Sequence, residues 1–106
     1  MNNSPKVAVI LINRNGFNLT EACVRSLLNA EYSNLLIIIV DNGSSQDDLN
    51  QLEGLARREK SVLIHPLGHN AGFTKANNAG IQAALDQGAD FIWILNNDTE
   101  VRKDAI

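Results

Sequence analysis

Phe91-Ile92-Trp93-Ile94-Leu95-Asn96-Asn97-Asp98-Thr99 is a run of five apolar residues followed directly by four polar ones. Aromatic and β-branched residues dominate the apolar part, which is typical of a buried β-strand. The polar part stands where that strand would end. In an open parallel sheet, ligands bind in the crevice outside the carboxyl ends of the strands. The segment therefore predicts a strand that delivers polar side chains to a binding edge.

Three earlier segments are also predicted to form strands. Residues 7–12, 35–40 and 62–64 are continuous aliphatic or β-branched runs, and polar or turn-forming residues follow each. The unbroken run at 35–40 is typical of a strand that is covered on both faces. Helical patterns separate the strands, and this alternation predicts an α/β fold with right-handed crossovers. We therefore expect a Rossmann-like three-layer α/β/α sandwich with a mainly parallel sheet.

Capping residues predict where the helices begin and end. Asn18 and Glu21 resemble a capping box, so the first helix is expected to start there and to continue to residue 30. Ser45 and Asp48 are placed to cap the second helix. Gly88 follows the third helical pattern at the position where glycine commonly ends a helix.

Composition limits the chain to one domain and excludes several partners. The 106 residues are 44% hydrophobic and carry a net charge of −3 with acids and bases interspersed, so no basic surface for nucleic acid is expected. No apolar run approaches the roughly 20 residues of a membrane span, and no signal sequence precedes the first strand. A cytoplasmic location is expected, with the full-length protein peripheral to the inner face of the membrane. The lone Cys23 is expected to be a small buried apolar residue.

Polar residues follow each of the four predicted strands, and they would meet at one edge of a parallel sheet. These residues are Asn13, Arg14, Asp41, Asn70, Asn96 and Asp98. Each has a structural alternative, because Asp and Asn beside a strand commonly satisfy backbone groups in a turn. His65 and His69 are interpreted as ordinary surface or loop residues rather than as ligands. The coincidence of four such strand ends favours a shared binding edge.

Two common nucleotide-binding motifs are absent from the sequence. No G-x-G-x-x-G follows the first strand, and no G-x-x-x-x-G-K-[ST] occurs anywhere in the chain. The predicted edge therefore belongs neither to a dinucleotide-binding fold nor to a phosphate-binding P-loop.

Four blocks of the sequence resemble the successive signatures of family-2 glycosyltransferases, and most of all those of rhamnosyltransferase-type members. The blocks are VAVILINRNG at residues 7–16, IVDNGS at 39–44, NAGF to NNAGI at 70–81, and LNNDT at 95–99. Their order along the chain makes the set more specific than any single block. The resemblance implies a GT-A fold whose first half binds a nucleoside-diphosphate sugar. It also implies that residues 1–106 are this donor-binding part, truncated at the carboxyl end, with the general base beyond Ile106 and no catalytic residue within the chain.

The resemblance further implies roles for individual residues. Asn13 and Arg14 would border the nucleobase, and Asp41 would accept a hydrogen bond from the ring N–H of uracil or thymine. The residues implied to line the remaining nucleotide and sugar positions are Asn70, Gly72, Lys75, Asn77 and Asn97. Lys75 is the one that could reach a phosphate.

The resemblance also implies a divalent metal ion. Asp98 matches the last acid of the family's D-x-D motif and, with Asn96, would hold Mg²⁺ or Mn²⁺ against the donor diphosphate. Asn96 stands where many relatives have an acid, so one carboxylate is left for the metal. Hard cations of this kind bind through few carboxylates plus substrate phosphates.

The implied function is transfer of a sugar, with inversion, from dTDP-rhamnose or a UDP-sugar to a glycan or a lipid-linked acceptor. The alternative is a catalytically inactive nucleotide-binding or regulatory module with the same fold. A sugar-nucleotide pyrophosphorylase is disfavoured because its Gly-rich loop with Lys or Arg after the first strand is absent. An uncovered sheet edge is expected to make the chain a homo-oligomer.

Overall fold

The predicted alternation of strands and helices is confirmed. The computed structural model describes residues 4–30 and 32–97. Seven elements follow one another in this part of the chain: β1 (Val7–Asn13), α1 (Phe17–Leu28), β2 (Leu35–Asp41), α2 (Gln46–Arg58), β3 (Val62–Pro66), α3 (Phe73–Asp86) and β4 (Phe91–Leu95). The first two strands each extend one residue further than predicted, so Asn13 and Asp41 are the last residues of their strands.

The four strands form one parallel sheet in the order β3-β2-β1-β4. Val7 pairs with Leu35 on one side and with Phe91 on the other, so β1, β2 and β4 start level with one another. At the far end of the same ladder, Asn13 lies opposite Asp41. We call the edge formed by the carboxyl ends of the strands the carboxyl edge.

Helices cover both faces of the sheet, which confirms the three-layer sandwich. Alternate residues of β1 and β2, including Val9 and Ile37, pack with α1 and α2. The residues between them, including Ile10 and Ile38, pack with α3. Because both faces of these two strands are covered, nearly every position in them is apolar. Cys23 belongs to the first of these cores and is buried, as predicted.

Small residues allow α3 to lie close to the sheet. Ala76, Gly80 and Ala84 are buried and stand four residues apart, so they share one face of the helix. A Cβ atom at Gly80 would lie 2.6 Å from Ile10 Cγ2 and 3.1 Å from Val40 Cγ2. The absence of a side chain at Gly80 therefore sets the distance between α3 and the sheet.

The start of α1 differs from the prediction. Asn18 and Glu21 form no capping box, since the helix starts at Phe17, and its N-cap, Gly16, makes no side-chain cap. The backbone N–H of Phe17 donates instead to Asp48 Oδ1 at 3.0 Å. A side chain 31 residues away thus takes the place of a local cap.

The ends of the other two helices agree with the prediction. Ser45 caps α2, with its hydroxyl oxygen accepting the N–H of Asp48 at 3.3 Å. Gly88 follows α3 with φ at +77°, the left-handed conformation in which glycine ends a helix without strain.

The prediction that β4 is a buried strand is wrong. Phe91 and Ile94 are 61% and 43% exposed. Among the described residues β4 pairs only with β1, so it forms one edge of the sheet, and α3 lies mainly over β1 and β2. β4 is therefore apolar in composition but only partly buried.

Within residues 4–30 and 32–97, no helix has the length and apolar character that crossing a membrane requires.

Candidate functional site

The loops that leave β1 and β2 are joined at the carboxyl edge. The N–H of Asn42 donates to the backbone carbonyl of Asn13 at 2.8 Å, which extends the parallel ladder one step beyond the strands. The N–H of Asn15 donates to Ser44 Oγ at 2.8 Å, and the N–H of Ser45 donates to Asn15 Oδ1 at 2.7 Å. Asn15 holds a positive φ of 52°, a conformation that Asn tolerates better than most residues. The two loops therefore form one hydrogen-bonded unit.

Asn13 is the centre of a buried polar network beneath these loops. Its side chain is fully buried. The amide Nδ2 lies 3.1 Å from Asp41 Oδ1, 2.7 Å from Asp48 Oδ2 and 3.1 Å from Ser44 Oγ. The amide Oδ1 accepts the hydroxyl of Thr20 at 2.6 Å. We call Asn13, Thr20, Asp41, Ser44, Asp48 and Asn97 the Asn13 network.

Asp41 is held from several sides within this network. The residue is only 2% exposed. Its Oδ1 accepts from Asn13 Nδ2 at 3.1 Å and from the Ser44 hydroxyl at 2.5 Å, whereas within residues 4–30 and 32–97 Oδ2 accepts only the Ser44 backbone N–H, at 3.2 Å. The bonds to Ser44 are turn contacts, the structural alternative that the sequence offered for Asp41. One oxygen, Oδ2, keeps most of its acceptor capacity for another donor.

Asp48 and Thr20 are members of the network that sequence reasoning missed. Asp48 was assigned only to the cap of α2, and its partners Asn13 and Phe17 lie 35 and 31 residues away. Thr20 did leave a signal in the sequence. With Cys23, Val24 and Leu27 it occupies the i, i+3, i+4 and i+7 positions of the buried face of α1. A hydroxyl on such a face needs a partner, because burying it without one is costly.

The network reaches the end of β4 through Asn97. Its Nδ2 donates to Thr20 Oγ1 at 3.1 Å across 77 residues of sequence. Asn97 is therefore joined to Asn13 and Asp41, as the shared edge predicts. Asn96 is exposed, and Asp98 lies outside the described residues.

Asn42 and Asn70 join the second loop to the loop that follows β3. Asn42 Nδ2 donates to Asn70 Oδ1 at 3.1 Å, and Asn42 Oδ1 accepts the N–H of Ala71 at 2.8 Å. The two backbones approach closely here, since a Cβ atom at Gly43 would lie 2.6 Å from Asn70 N. Gly43 also has a φ of +83°, so glycine is required there on both counts. In the sequence, Asn42 stands out only as part of the block at residues 39–44. Its hydrogen bonds to the loop after β3 are visible only in the structure.

The start of α3 carries the remaining candidate residues. Gly72 is its N-cap, with φ at +87°, and its N–H donates to Asn70 Oδ1 at 3.1 Å. Lys75 is exposed in the first turn of α3, and Arg14 is exposed beyond β1. Asn77 Oδ1 is buried and has no hydrogen-bond partner within the described part of the chain. The structure thus brings Asn13, Asp41 and Asn97 into one network and leaves Asn70 and Gly72 in a second, adjacent one.

The donor chemistry of this edge is compatible with a hard divalent cation. No group of three His, Cys, Asp or Glu side chains that could hold a metal occurs in residues 4–30 and 32–97. Asn96 supplies an exposed amide oxygen just past β4. Mg²⁺ commonly binds through one or two carboxylates and completes its shell with phosphate oxygens and water, so a protein site with few ligands fits this metal.

A family model described as glycosyl transferase family 2 matches residues 8–106. The dTDP-rhamnosyl transferase RfbF of Shigella flexneri is 36% identical over 73 residues, which cover 69% of this chain and 23% of that protein. Three uncharacterized glycosyltransferases, from Haemophilus influenzae and Rickettsia conorii, are 27% to 32% identical. The chain spans only 16% to 40% of the length of those three relatives.

Two solved structures have the same fold. The mannosyltransferase PcManGT from Pyrobaculum calidifontis, in complex with GDP-Man and Mn²⁺, superposes with a TM-score of 0.78 at 19% identity, covering 89% of this chain and 28% of that one. S. aureus TarS residues 1–349, in complex with UDP-GlcNAc, superposes with a TM-score of 0.79 at 21% identity, covering 92% of this chain and 28% of that one. The α/β fold described above is thus the fold found in GT-A glycosyltransferase structures.

Proposed function

Because the chain belongs to glycosyl transferase family 2, we propose that residues 1–106 form the part of such an enzyme that binds a nucleoside-diphosphate sugar. The observation that carries the proposal is the joining of three loops at the carboxyl edge. The loops after β1 and β2 share the Asn13 network, and Asn42 links the loop after β2 to Asn70. Ligands of open parallel sheets bind at this edge.

Asp41 is the group proposed to recognise the nucleobase. Its Oδ2 has one backbone donor at 3.2 Å and can accept a further N–H. Uracil and thymine each carry one ring N–H, which is the donor that a carboxylate would bind. Asn13 is buried beneath Asp41 and would act on the base through that carboxylate. The exposed guanidinium of Arg14 has the planar shape that stacks against a base.

The start of α3 is the part proposed to face the diphosphate and the sugar. The backbone N–H groups at a helix start favour anions, and α3 has no acidic residue in its first turn to oppose them. The exposed Lys75 adds a positive charge there. Asn70 and Gly72 shape the loop that leads into the helix. Asn77 offers a buried amide oxygen, for which a sugar hydroxyl is a suitable donor.

Asp98 and Asn96 are the residues proposed to hold Mg²⁺ or Mn²⁺. The structure of PcManGT contains Mn²⁺ with its GDP-Man, which supports divalent metal use in proteins of this fold. When bound, such an ion supplies positive charge against the diphosphate as it leaves.

The reaction proposed for the whole enzyme is sugar transfer with inversion. A general base of the enzyme would take the proton of an acceptor hydroxyl, the hydroxyl oxygen would bond to the anomeric carbon, and the bond from that carbon to the diphosphate would break. The name of RfbF supports dTDP-rhamnose as the donor, and the UDP-GlcNAc complex of TarS supports a UDP-sugar. The acceptor would be a glycan or a lipid-linked glycan.

Titration calorimetry with UDP and dTDP, each with and without Mn²⁺, tests the proposal. We expect Mn²⁺ to tighten nucleotide binding in the wild-type chain, because one carboxylate needs phosphate oxygens to complete a metal site. The coupling is reciprocal, so nucleotide should tighten Mn²⁺ binding by the same factor. In Asp98→Ala this coupling should disappear while the metal-free nucleotide affinity changes little.

Asp86→Ala is the matched control for the loss of a carboxylate. Asp86 is the last residue of α3 and lies near the amino ends of the strands, away from the carboxyl edge. This variant should therefore keep the Mn²⁺ effect. An equal Mn²⁺ effect in wild type and Asp98→Ala, or none in either, would remove Asp98 from the metal site. Nucleotide binding without metal coupling would favour the inactive binding module over the metal-assisted transferase.

A further inference from the structure

We propose that Thr20 and Asp48 are positioning residues that hold the Asn13 amide in one orientation and thereby leave Asp41 with a single oxygen for the nucleobase. This inference rests on the proposed function, since it names how that site selects its base.

Thr20 and the two carboxylates of Asp41 and Asp48 together determine which way the amide of Asn13 points. A hydroxyl has one hydrogen, and that of Thr20 is donated to Asn13 Oδ1 at 2.6 Å. The amide nitrogen must then face the opposite side, where Asp41 Oδ1 and Asp48 Oδ2 each accept one of its two hydrogens. A reversed amide would turn its oxygen toward two buried carboxylates, which is unfavourable.

Asp48 holds the other side of the amide and joins three elements. Its Oδ2 accepts from Asn13 at the end of β1, its Oδ1 accepts from Phe17 at the start of α1, and its own N–H donates to Ser45 at the start of α2. The residue is 9% exposed, so these bonds have little competition from water. Asp48 therefore sets the position of α1 and α2 relative to the end of β1.

The consequence for Asp41 is that its two oxygens are unequal. Asn13 and the Ser44 hydroxyl together occupy Oδ1, whereas the Ser44 N–H at 3.2 Å is the only donor to Oδ2 in the part of the chain that the structure describes. One open oxygen matches the single ring N–H of uracil or thymine. Guanine presents two neighbouring N–H groups, which a carboxylate binds best with both oxygens free. The network therefore favours UDP and dTDP over GDP.

Thr20 also connects the side chains of Asn13 and Asp41 to the end of β4. Its oxygen accepts Asn97 Nδ2 at 3.1 Å while its hydrogen goes to Asn13. Removing the hydroxyl leaves the buried Asn13 oxygen without its donor and the partly buried Asn97 amide without its acceptor. Thr20→Val is nearly equal in volume and removes only this hydroxyl, whereas Thr20→Ser retains it.

Calorimetric titration of UDP and GDP into wild type, Thr20→Val and Thr20→Ser tests the inference. We expect wild type to prefer UDP, and Thr20→Val to bind UDP about tenfold more weakly, the scale of one hydrogen bond in a charged network. The ratio of UDP to GDP affinity should fall in Thr20→Val and stay within about twofold of wild type in Thr20→Ser. Ile37→Val, in the core away from the network, is the control for stability and should lower the unfolding midpoint without changing the ratio.

The outcomes separate this inference from the proposed function. If wild type binds UDP and Thr20→Val keeps the wild-type UDP to GDP ratio, the positioning role is wrong and the proposed function stands. Equal wild-type affinity for UDP and GDP also overturns the inference alone. Failure of the wild-type chain to bind UDP or dTDP overturns both. If Thr20→Val does not fold, Asp48→Asn replaces it: a fallen ratio supports the inference, and an unchanged ratio overturns it.

Discussion

At the scale of single residues, Asp41 has a structural role and is also the residue proposed to recognise the nucleobase. Its carboxylate accepts bonds from Asn13 and Ser44, and these bonds hold the loop between β2 and α2. The same burial and bonding fix the carboxylate in place, so little conformational freedom is lost when a ligand binds. A change at Asp41 should therefore affect both stability and affinity.

Asp41→Ala is predicted to weaken UDP or dTDP binding by about 1.5–3 kcal/mol, the range for hydrogen bonds to charged groups. It should also lower the free energy of unfolding, because the donors of Asn13 and Ser44 lose their acceptor. Calorimetry and urea unfolding measure the two effects separately. Asp47→Ala, which removes an exposed carboxylate in the first turn of α2, is the control and should leave the affinity unchanged. Wild-type affinity in Asp41→Ala would remove this residue from the binding site.

At the scale of elements, two helical glycines have opposite surroundings. Gly80 of α3 faces the sheet, where a Cβ atom would lie 2.6 Å from Ile10 Cγ2. Gly54 of α2 is partly exposed, and among the described residues a Cβ atom there would meet only the ends of the flexible Arg58 and Arg57 side chains, at 3.5 and 3.9 Å. The same substitution should therefore change stability in opposite directions.

Gly80→Ala is predicted to destabilise the chain by about 1–3 kcal/mol, because the added methyl overpacks the core between α3 and β1. Gly54→Ala is predicted to stabilise it by about 0.5–1 kcal/mol, because Ala is the better helix former and nothing rigid opposes its methyl group. Urea unfolding of the two variants beside wild type provides the comparison. Equal effects of the two changes would mean that α3 can move away from the sheet without cost.

At the scale of the whole molecule, the sheet has an apolar edge at β4. Phe91 and Ile94 are exposed there, and within the described residues only β1 pairs with this strand. Exposed apolar strand edges promote association between chains.

The chain is therefore predicted to run as a dimer or larger species in analytical size exclusion or ultracentrifugation. Ile94→Lys should shift it toward the monomer, since a charged side chain on an edge strand opposes pairing. Leu85→Lys, a change at a 55% exposed residue of α3, is the control and should not alter the association. A monomer at high concentration would contradict the prediction, and an equal effect of both variants would place the contact elsewhere.

Local patterns along the chain were sufficient to predict the fold and the edge that carries the candidate site. Strand and helix periodicity, with crossovers between the strands, implied the parallel three-layer sandwich, and Ser45 and Gly88 marked helix ends correctly. These features depend on residues within a few positions of one another, so they can be read from the sequence alone. The family signatures in the sequence identified the glycosyltransferase family, which the family model confirms.

Only the tertiary structure decided which side chains meet at that edge and how far β4 is buried. Asp48 replaces the expected cap of α1, and Thr20 links Asn13 to Asn97 across 7 and 77 residues of sequence. β4 has the composition of a buried strand, yet its place at the edge of the sheet leaves Phe91 and Ile94 exposed. Periodicity records which face of an element is apolar, whereas the partners across a loop and the strand order depend on packing between segments distant in the chain.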